Sequence, residues 1–187
     1  TGLSQRGCGG TLYLLDSRDV CVTGVTSSSD VGSAQGSVTI DTNCYRCSVS
    51  DLVLQLASEN RAITLYGTDS RMTNVTVRPY VSAYSPNGVV VMKGTRPILD
   101  GVSIVNTDSA EADAAHGGNG ILVVSGDGAY VRPHALRNLY VGVVVSSGVT
   151  NAVVDFSGTQ FLTADSGQLL SDSSGGGAHI INPRSLS

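Results

Sequence analysis

A short sequence pattern recurs along this chain of 187 residues. In each copy an Asp, Asn or Gly is followed by an aliphatic residue, any residue and a second aliphatic residue. The five copies begin at Asp19, Asp51, Asn74, Gly101 and Asn138, and a looser copy, expected on a different face, begins at Asn151. Repetition at similar intervals is typical of solenoids, in which each repeat is a structural unit that stacks on its neighbour.

A second family of short apolar segments alternates with the first. Its members span residues 37–40, 62–65, 88–91 and 120–123, and a polar or Gly-containing turn follows each one. A strand of this length cannot bury its apolar face alone, but strands bent around a common centre can bury it together. Coils stacked at ~4.8 Å would then satisfy the backbone hydrogen bonds. We therefore predict an all-β, right-handed, single-stranded parallel β-helix over residues 1–170, with about seven coils.

The alternative fold is an antiparallel β-sandwich or jelly roll. Residues 86–88, 119–120 and 127–128 carry Asn-Gly or Asp-Gly pairs, which also occur in β-hairpins. Both folds agree with a composition rich in Val and Thr and containing a single lysine, Lys93, since long helices favour Lys and Glu. The regular recurrence of one motif favours the solenoid.

Insertions in solenoids collect in the turns. The two longest intervals between motif copies therefore predict projecting loops at residues 26–36 and 106–119. Residues 171–187 are predicted to form a Gly/Ser linker and a C-terminal tail, in which residues 178–183 add a closing strand or reach a neighbouring subunit.

The charge and the hydropathy of the chain argue against two classes of binding partner, nucleic acids and membranes. The net charge is −4 and the arginines are scattered singly, which argues against nucleic acid. No apolar run approaches the ~18 residues that would span a bilayer, so membrane insertion is not expected. The chain begins at Thr1 without Met, and we expect a processed product or a piece of a longer protein.

The four cysteines leave three alternatives open. Cys44 and Cys47 have the CxxC spacing of zinc and redox sites, and Cys8 and Cys21 could supply two further ligands. A disulfide and buried free thiols are the other two alternatives. The sequence contains no phosphate-binding loop, nucleophile elbow or His pair at metal spacing, so neither a cofactor nor a metal is predicted.

The candidate catalytic residues lie in the longer predicted loop. Asp108, Glu111, Asp113 and His116 occur within it. Glycoside hydrolysis needs two carboxyl groups about 5–9.5 Å apart, which residues of one loop or of adjacent coils can provide. A solvated acidic loop is the alternative interpretation. Arg61, Arg71 and Arg78 are a further candidate set, expected in neighbouring coils, where stacked arginines can bind carboxylates; ordinary surface arginines are the alternative interpretation.

Two segments resemble the turns of pectate-lyase-like β-helices. They span residues 88–106 and 136–148, and the resemblance extends over about residues 12–160. The composition, with abundant Ser, Gly, Thr and Val and little Lys, most resembles that of the tailspikes and tail fibres of bacteriophages. The resemblance implies a homotrimer in the virion or outside the cell that binds or cleaves cell-surface polysaccharide. The expected function is a structural, glycan-recognising domain, and the alternatives are a polysaccharide hydrolase or lyase and a fragment of a bacterial adhesin.

Overall fold

The computed structural model describes residues 3–6, 12–29, 38–56, 62–78, 88–106, 118–162 and 168–182. Every regular element in these ranges is a β-strand, and the strands are numbered β1 to β16 in chain order. Over the same ranges, no helix is long and apolar enough to cross a membrane.

The strands form two sheets, which we name sheet A and sheet B. The strands of sheet A are β1 (Leu3–Arg6), β3 (Cys21–Ser29), β5 (Ser48–Leu56), β7 (Arg71–Arg78), β9 (Ile98–Val105), β11 (Tyr130–Arg137), β13 (Ala152–Asp155), β14 (Gln160–Leu162) and β16 (Ala178–Ile181). The strands of sheet B are β2 (Leu12–Leu14), β4 (Val38–Ile40), β6 (Ile63–Leu65), β8 (Val90–Thr95), β10 (Asn119–Asp127), β12 (Val141–Thr150) and β15 (Gln168–Asp172).

The chain alternates between the sheets, so that each coil contains one strand of sheet B, a corner and one strand of sheet A. All strand pairings of the described residues are parallel and join successive coils, as in β4 with β6 and β5 with β7. This topology confirms the predicted parallel β-solenoid and excludes the antiparallel sandwich. The solenoid has about five turns, slightly fewer than the seven coils predicted.

The core lies between the sheets and consists of columns of inward side chains. Strands alternate inward and outward residues, so an inward position in one coil stacks on the same position in the next. In sheet A, one column contains the buried residues Val49, Met72, Leu99, Val131 and Val154. In sheet B, a facing column contains the buried residues Ile40, Leu65, Met92, Val123 and Val145.

The first residue of each motif copy has a left-handed backbone conformation. These residues do not all stack on one another, as the regular recurrence of the motif implied. Asp51, Asn74 and Gly101 have φ values of 54°, 53° and 67° and stack in a bend within sheet A. Asp19 lies in the corner before sheet A, whereas Asn138 precedes β12. Asp, Asn and Gly tolerate positive φ better than other residues, which explains why one motif marks several bends.

The predicted loops are only partly described. Strand β3 continues to Ser29, so the first residues of the predicted loop 26–36 belong to sheet A. Residues 30–37 and 107–117 lie outside the described residues. Within the predicted linker and tail, Ser171 and Asp172 end β15, and β16 pairs with β13 as a closing strand of sheet A.

Candidate functional site

The four residues predicted as catalytic candidates lie outside the described residues. Asp108, Glu111, Asp113 and His116 all belong to the segment 107–117. Strand β9 ends at Val105 and β10 begins at Asn119, so this segment connects two neighbouring coils. Their role as acid, base or nucleophile stays a prediction.

The outer face of sheet A carries a line of exposed and half-buried side chains in register. Corresponding residues of successive strands form a line that runs across the coils, and we name this line the outer strip. The outer strip contains Cys21, Ser48, Arg71, Ile98, Tyr130, Val153 and His179. Successive members are separated by the spacing between strands, ~4.8 Å.

The middle of the outer strip is apolar. Ile98 is 36% exposed and lies next to Tyr130, which is half-buried, and Val153 follows in the next coil. Arg71 lies on the other side of Ile98; it is exposed, and its side chain makes no hydrogen bond or ion pair with the described part of the chain. The outer strip therefore offers an apolar platform with an exposed cation beside it.

A second line of outward residues runs next to the platform and is polar. Arg132 donates two hydrogen bonds to Asp100 of the preceding coil, with Nε 2.6 Å from Oδ1 and the terminal nitrogen 2.9 Å from Oδ2. The side chains of Arg132 and Asp100 are 48% and 30% exposed. The Tyr130 hydroxyl donates to Asp155 Oδ2 at 3.4 Å. Polar groups that retain solvent contact keep hydrogen-bonding capacity for a ligand.

The carboxylates of Asp100 and Asp155 accept hydrogen bonds from Arg132 and Tyr130. Hydrogen bonds from Ser157 are the main cause that holds the pKa of Asp155 below its ordinary range. Burial raises the pKa of Tyr130, and the charge of Asp155 adds to this. A general acid of a glycosidase needs a raised carboxyl pKa, and among the described carboxyl groups with a resolved shift, every pKa is lowered.

A second polar cluster lies in the corner that leads from sheet B to sheet A. Arg46 pairs with Asp19 and Arg96 pairs with Asp69, each at 2.6 Å and each between neighbouring coils. The ring of Tyr45 lies under the Arg18 and Arg46 guanidinium groups, at 5.1 and 4.8 Å from its centroid. Arg46 and Arg96 are each paired with an aspartate, so the corner cluster joins neighbouring coils.

Two of the three predicted arginines, Arg71 and Arg78, do not stack. Arg71 and Arg78 lie at the two ends of the same strand, β7, which contradicts their expected placement in neighbouring coils. The error arose because strand lengths were judged too short: β7 is eight residues long and includes a bend at Asn74. Arg61 lies outside the described residues.

Cys44 and Cys47 are free and buried, and Cys21 is free and exposed. Among the described residues, no group of three or more His, Cys, Asp or Glu is placed to hold a metal ion. Cys8 lies outside the described residues, so its predicted participation in a zinc site or disulfide is untested.

The sequence did not reveal the platform residues. Ile98 and Tyr130 lie in different coils, and their juxtaposition depends on a 32-residue spacing that the unequal corner and loop lengths make irregular. The available signal was the alternation within each strand, which places both residues outward once the register is known.

No family model, no curated protein and no solved structure matches this chain.

Proposed function

We propose that this chain is a structural, glycan-recognising domain that contacts a cell-surface polysaccharide, of the kind found in bacteriophage tailspikes and tail fibres. The observation that carries the proposal is the outer strip, where Ile98 and Tyr130 form an apolar platform beside the Asp100–Arg132 pair. The parallel β-solenoid agrees with such a role, since the fold presents long regular faces.

The chemistry of the platform suits a sugar chain. A sugar ring has an apolar face and a rim of hydroxyl groups, and Tyr supplies a flat apolar surface with a polar hydroxyl. Asp100 and Arg132 provide exposed acceptors and donors next to that surface. The ion pair fixes both side chains in place, which lowers the entropy lost when a ligand binds.

The direction of the outer strip suits a polymer. One member lies on each successive strand of sheet A, so an extended ligand lying across the strands meets one side chain of the outer strip at each step of ~4.8 Å. Several weak contacts to one polymer add to a useful affinity, because later contacts form within an already bound complex.

We further propose that the domain is part of a homotrimer and acts in the virion or outside the cell. Support comes from the resemblance of segments 88–106 and 136–148 to the turns of pectate-lyase-like β-helices. The sequence also lacks the clustered Lys and Arg that binding to nucleic acid requires. Sedimentation of the purified chain gives the oligomeric state; a trimer is expected.

A binding experiment with matched variants tests the glycan proposal. The chain is titrated with a panel of purified capsular polysaccharides and lipopolysaccharides by isothermal calorimetry, and reducing ends are measured in parallel. For a glycan that binds, we expect Ile98→Ser and Tyr130→Ala each to weaken binding about tenfold, as one lost contact of 1.4 kcal/mol would do. Val124→Ser is the control, because Val124 is similarly exposed, at 37%, but lies in sheet B.

Two results would contradict the proposal. One is that no polysaccharide of the panel binds. The other is that Ile98→Ser and Val124→Ser reduce binding equally, which would mean that the ligand does not lie on the outer strip. Release of reducing ends would support the hydrolase or lyase alternative over a purely binding domain.

A further inference from the structure

Two buried thiols occupy a single corner of the solenoid. Cys44 and Cys47 belong to the turn between β4 and β5, and their side chains are 1% and 0% exposed. The Cys44 thiol donates to the carbonyl oxygen of Leu14 at 3.2 Å, and the Cys47 thiol donates to that of Ser17 at 3.3 Å. Both side chains therefore point inward, towards the corner of the preceding coil.

The backbone of this corner brings the two cysteines close together. Tyr45 forms parallel bridges with Arg18 and Thr68, which requires an extended backbone, and Arg46 has a φ of 53°. The chain bends at Arg46, and the side chains of Cys44 and Cys47 both lie on the buried side of this bend. A disulfide between them requires Cα atoms about 4.4–6.8 Å apart, a distance that residues on either side of such a bend can reach.

The next coil packs on the pair with two small residues. At the position stacked on Cys44 it has Gly67, where a Cβ atom would lie 3.1 Å from Cys44 Cβ. At the position stacked on Cys47 it has Ser70, whose hydroxyl accepts a hydrogen bond from the Cys47 amide at 3.1 Å. The two thiols also act on each other, since Cys47 helps to raise the pKa of Cys44, although burial is the larger cause.

We propose that Cys44 and Cys47 are a redox-active dithiol that forms a disulfide within the corner. The two S–H bonds break and one S–S bond forms. The two protons and two electrons pass to a low-molecular-weight disulfide such as oxidised glutathione, which becomes two thiols. Because both sulfur atoms are buried, the oxidant reaches them during folding or local opening, and exchange in the folded protein is slow.

The disulfide closes a small loop within the corner that joins β4 to β5. It replaces the thiol hydrogen bonds to Leu14 and Ser17 with a covalent link inside the corner. This inference is independent of the glycan proposal, since the corner and the outer strip are formed by different residues.

The test counts free thiols after redox equilibration. The double variant Cys8→Ser, Cys21→Ser is refolded in an oxidising mixture of reduced and oxidised glutathione, quenched in acid, denatured and alkylated with a maleimide. Intact mass and peptide mapping should show the loss of two hydrogen atoms, no alkylation and a link within the peptide that contains residues 44–47. Treatment with dithiothreitol should restore two alkylated thiols.

Further variants separate this outcome from others. Adding Cys44→Ser should leave Cys47 alkylated or joined to glutathione, and adding Cys47→Ser should do the same for Cys44. Peptide mapping of the unsubstituted chain gives the pairing if the variants fail to fold. The proposal is overturned if both thiols are alkylated after equilibration, or if either one is found joined to glutathione, Cys8 or Cys21 while its neighbour is free.

Discussion

Two stacked glycines allow neighbouring coils to approach closely near the C-terminal ends of strands β8 and β10. Gly94 and Gly126 are in register and have φ values of 108° and 124°, which L-residues rarely adopt. A Cβ atom on Gly126 would overlap the carbonyl oxygen of Gly94. The backbones therefore occupy the space that a side chain would need.

Gly126→Ala is expected to be strongly destabilising. The left-handed backbone alone costs an alanine about 1–2 kcal/mol, and the overlap adds about 1–3 kcal/mol. Gly158→Ala is the matched control, because Gly158 has a φ of 74° but no atom within 4 Å of the added Cβ. Urea unfolding of both variants measures the difference, and equal losses of stability would show that the backbones do not approach as described.

Left-handed residues were predictable only where their side chains are typical of turns. Asp51 and Asn74 belong to the recurring motif, but Arg46 and Arg96 have φ values of 53° and 49° and carry no such signal. Each of these arginines is held by an ion pair with an aspartate of the preceding coil. The ion pair with the neighbouring coil therefore favours a left-handed backbone conformation that arginine rarely adopts by itself.

At the scale of single strands, the alternation between core and solvent makes a direct prediction. Leu54 and Val53 are adjacent in β5, with 0% and 41% of their surfaces exposed. Leu54→Ala should cost about 2–5 kcal/mol because it leaves a cavity between the sheets, whereas Val53→Ala should change stability by less than about 0.5 kcal/mol. Denaturant unfolding measures both. A reversed order would mean that β5 has the opposite face inward.

The polar links between coils make stability depend on pH. Hydrogen bonds from Arg46, Arg96 and Asn151 are the main causes that hold the pKa values of Asp19, Asp69 and Asp127 below the ordinary 3.8. A lowered folded-state pKa means that the stabilisation is present above about pH 4 and is lost as the pH falls through the folded-state values.

Urea midpoints between pH 6 and pH 2 test this dependence. The midpoint should change little down to pH 4 and should fall below it. In the variant Asp69→Asn, Asp127→Asn the midpoint should be lower at pH 6, and its fall below pH 4 should be smaller. An unchanged pH dependence in that variant would show that these aspartates do not link the coils. Salt should also weaken the effect, because the pairs are exposed.

At the scale of the whole molecule, the sequence allowed the fold to be predicted better than the site. Two alternating strand families identified the solenoid, because the burial of short strands requires stacking. The site depends on register, and register depends on corner and loop lengths that vary from coil to coil. Ile98, for instance, lies 27 residues after Arg71 and 32 residues before Tyr130, yet all three are neighbours.

Distances along the outer strip test the stacked arrangement most directly. A spin label on Cys21, with the other cysteines replaced by Ser, is paired in turn with a label at Tyr130→Cys, Val153→Cys or His179→Cys. These positions lie four, five and six strands away from Cys21 in the register of sheet A. Pulsed electron–electron double resonance should give distances near 19, 24 and 29 Å, which rise by ~4.8 Å per strand. Distances that do not rise in this order would contradict the stacked parallel solenoid, and with it the outer strip as a binding surface.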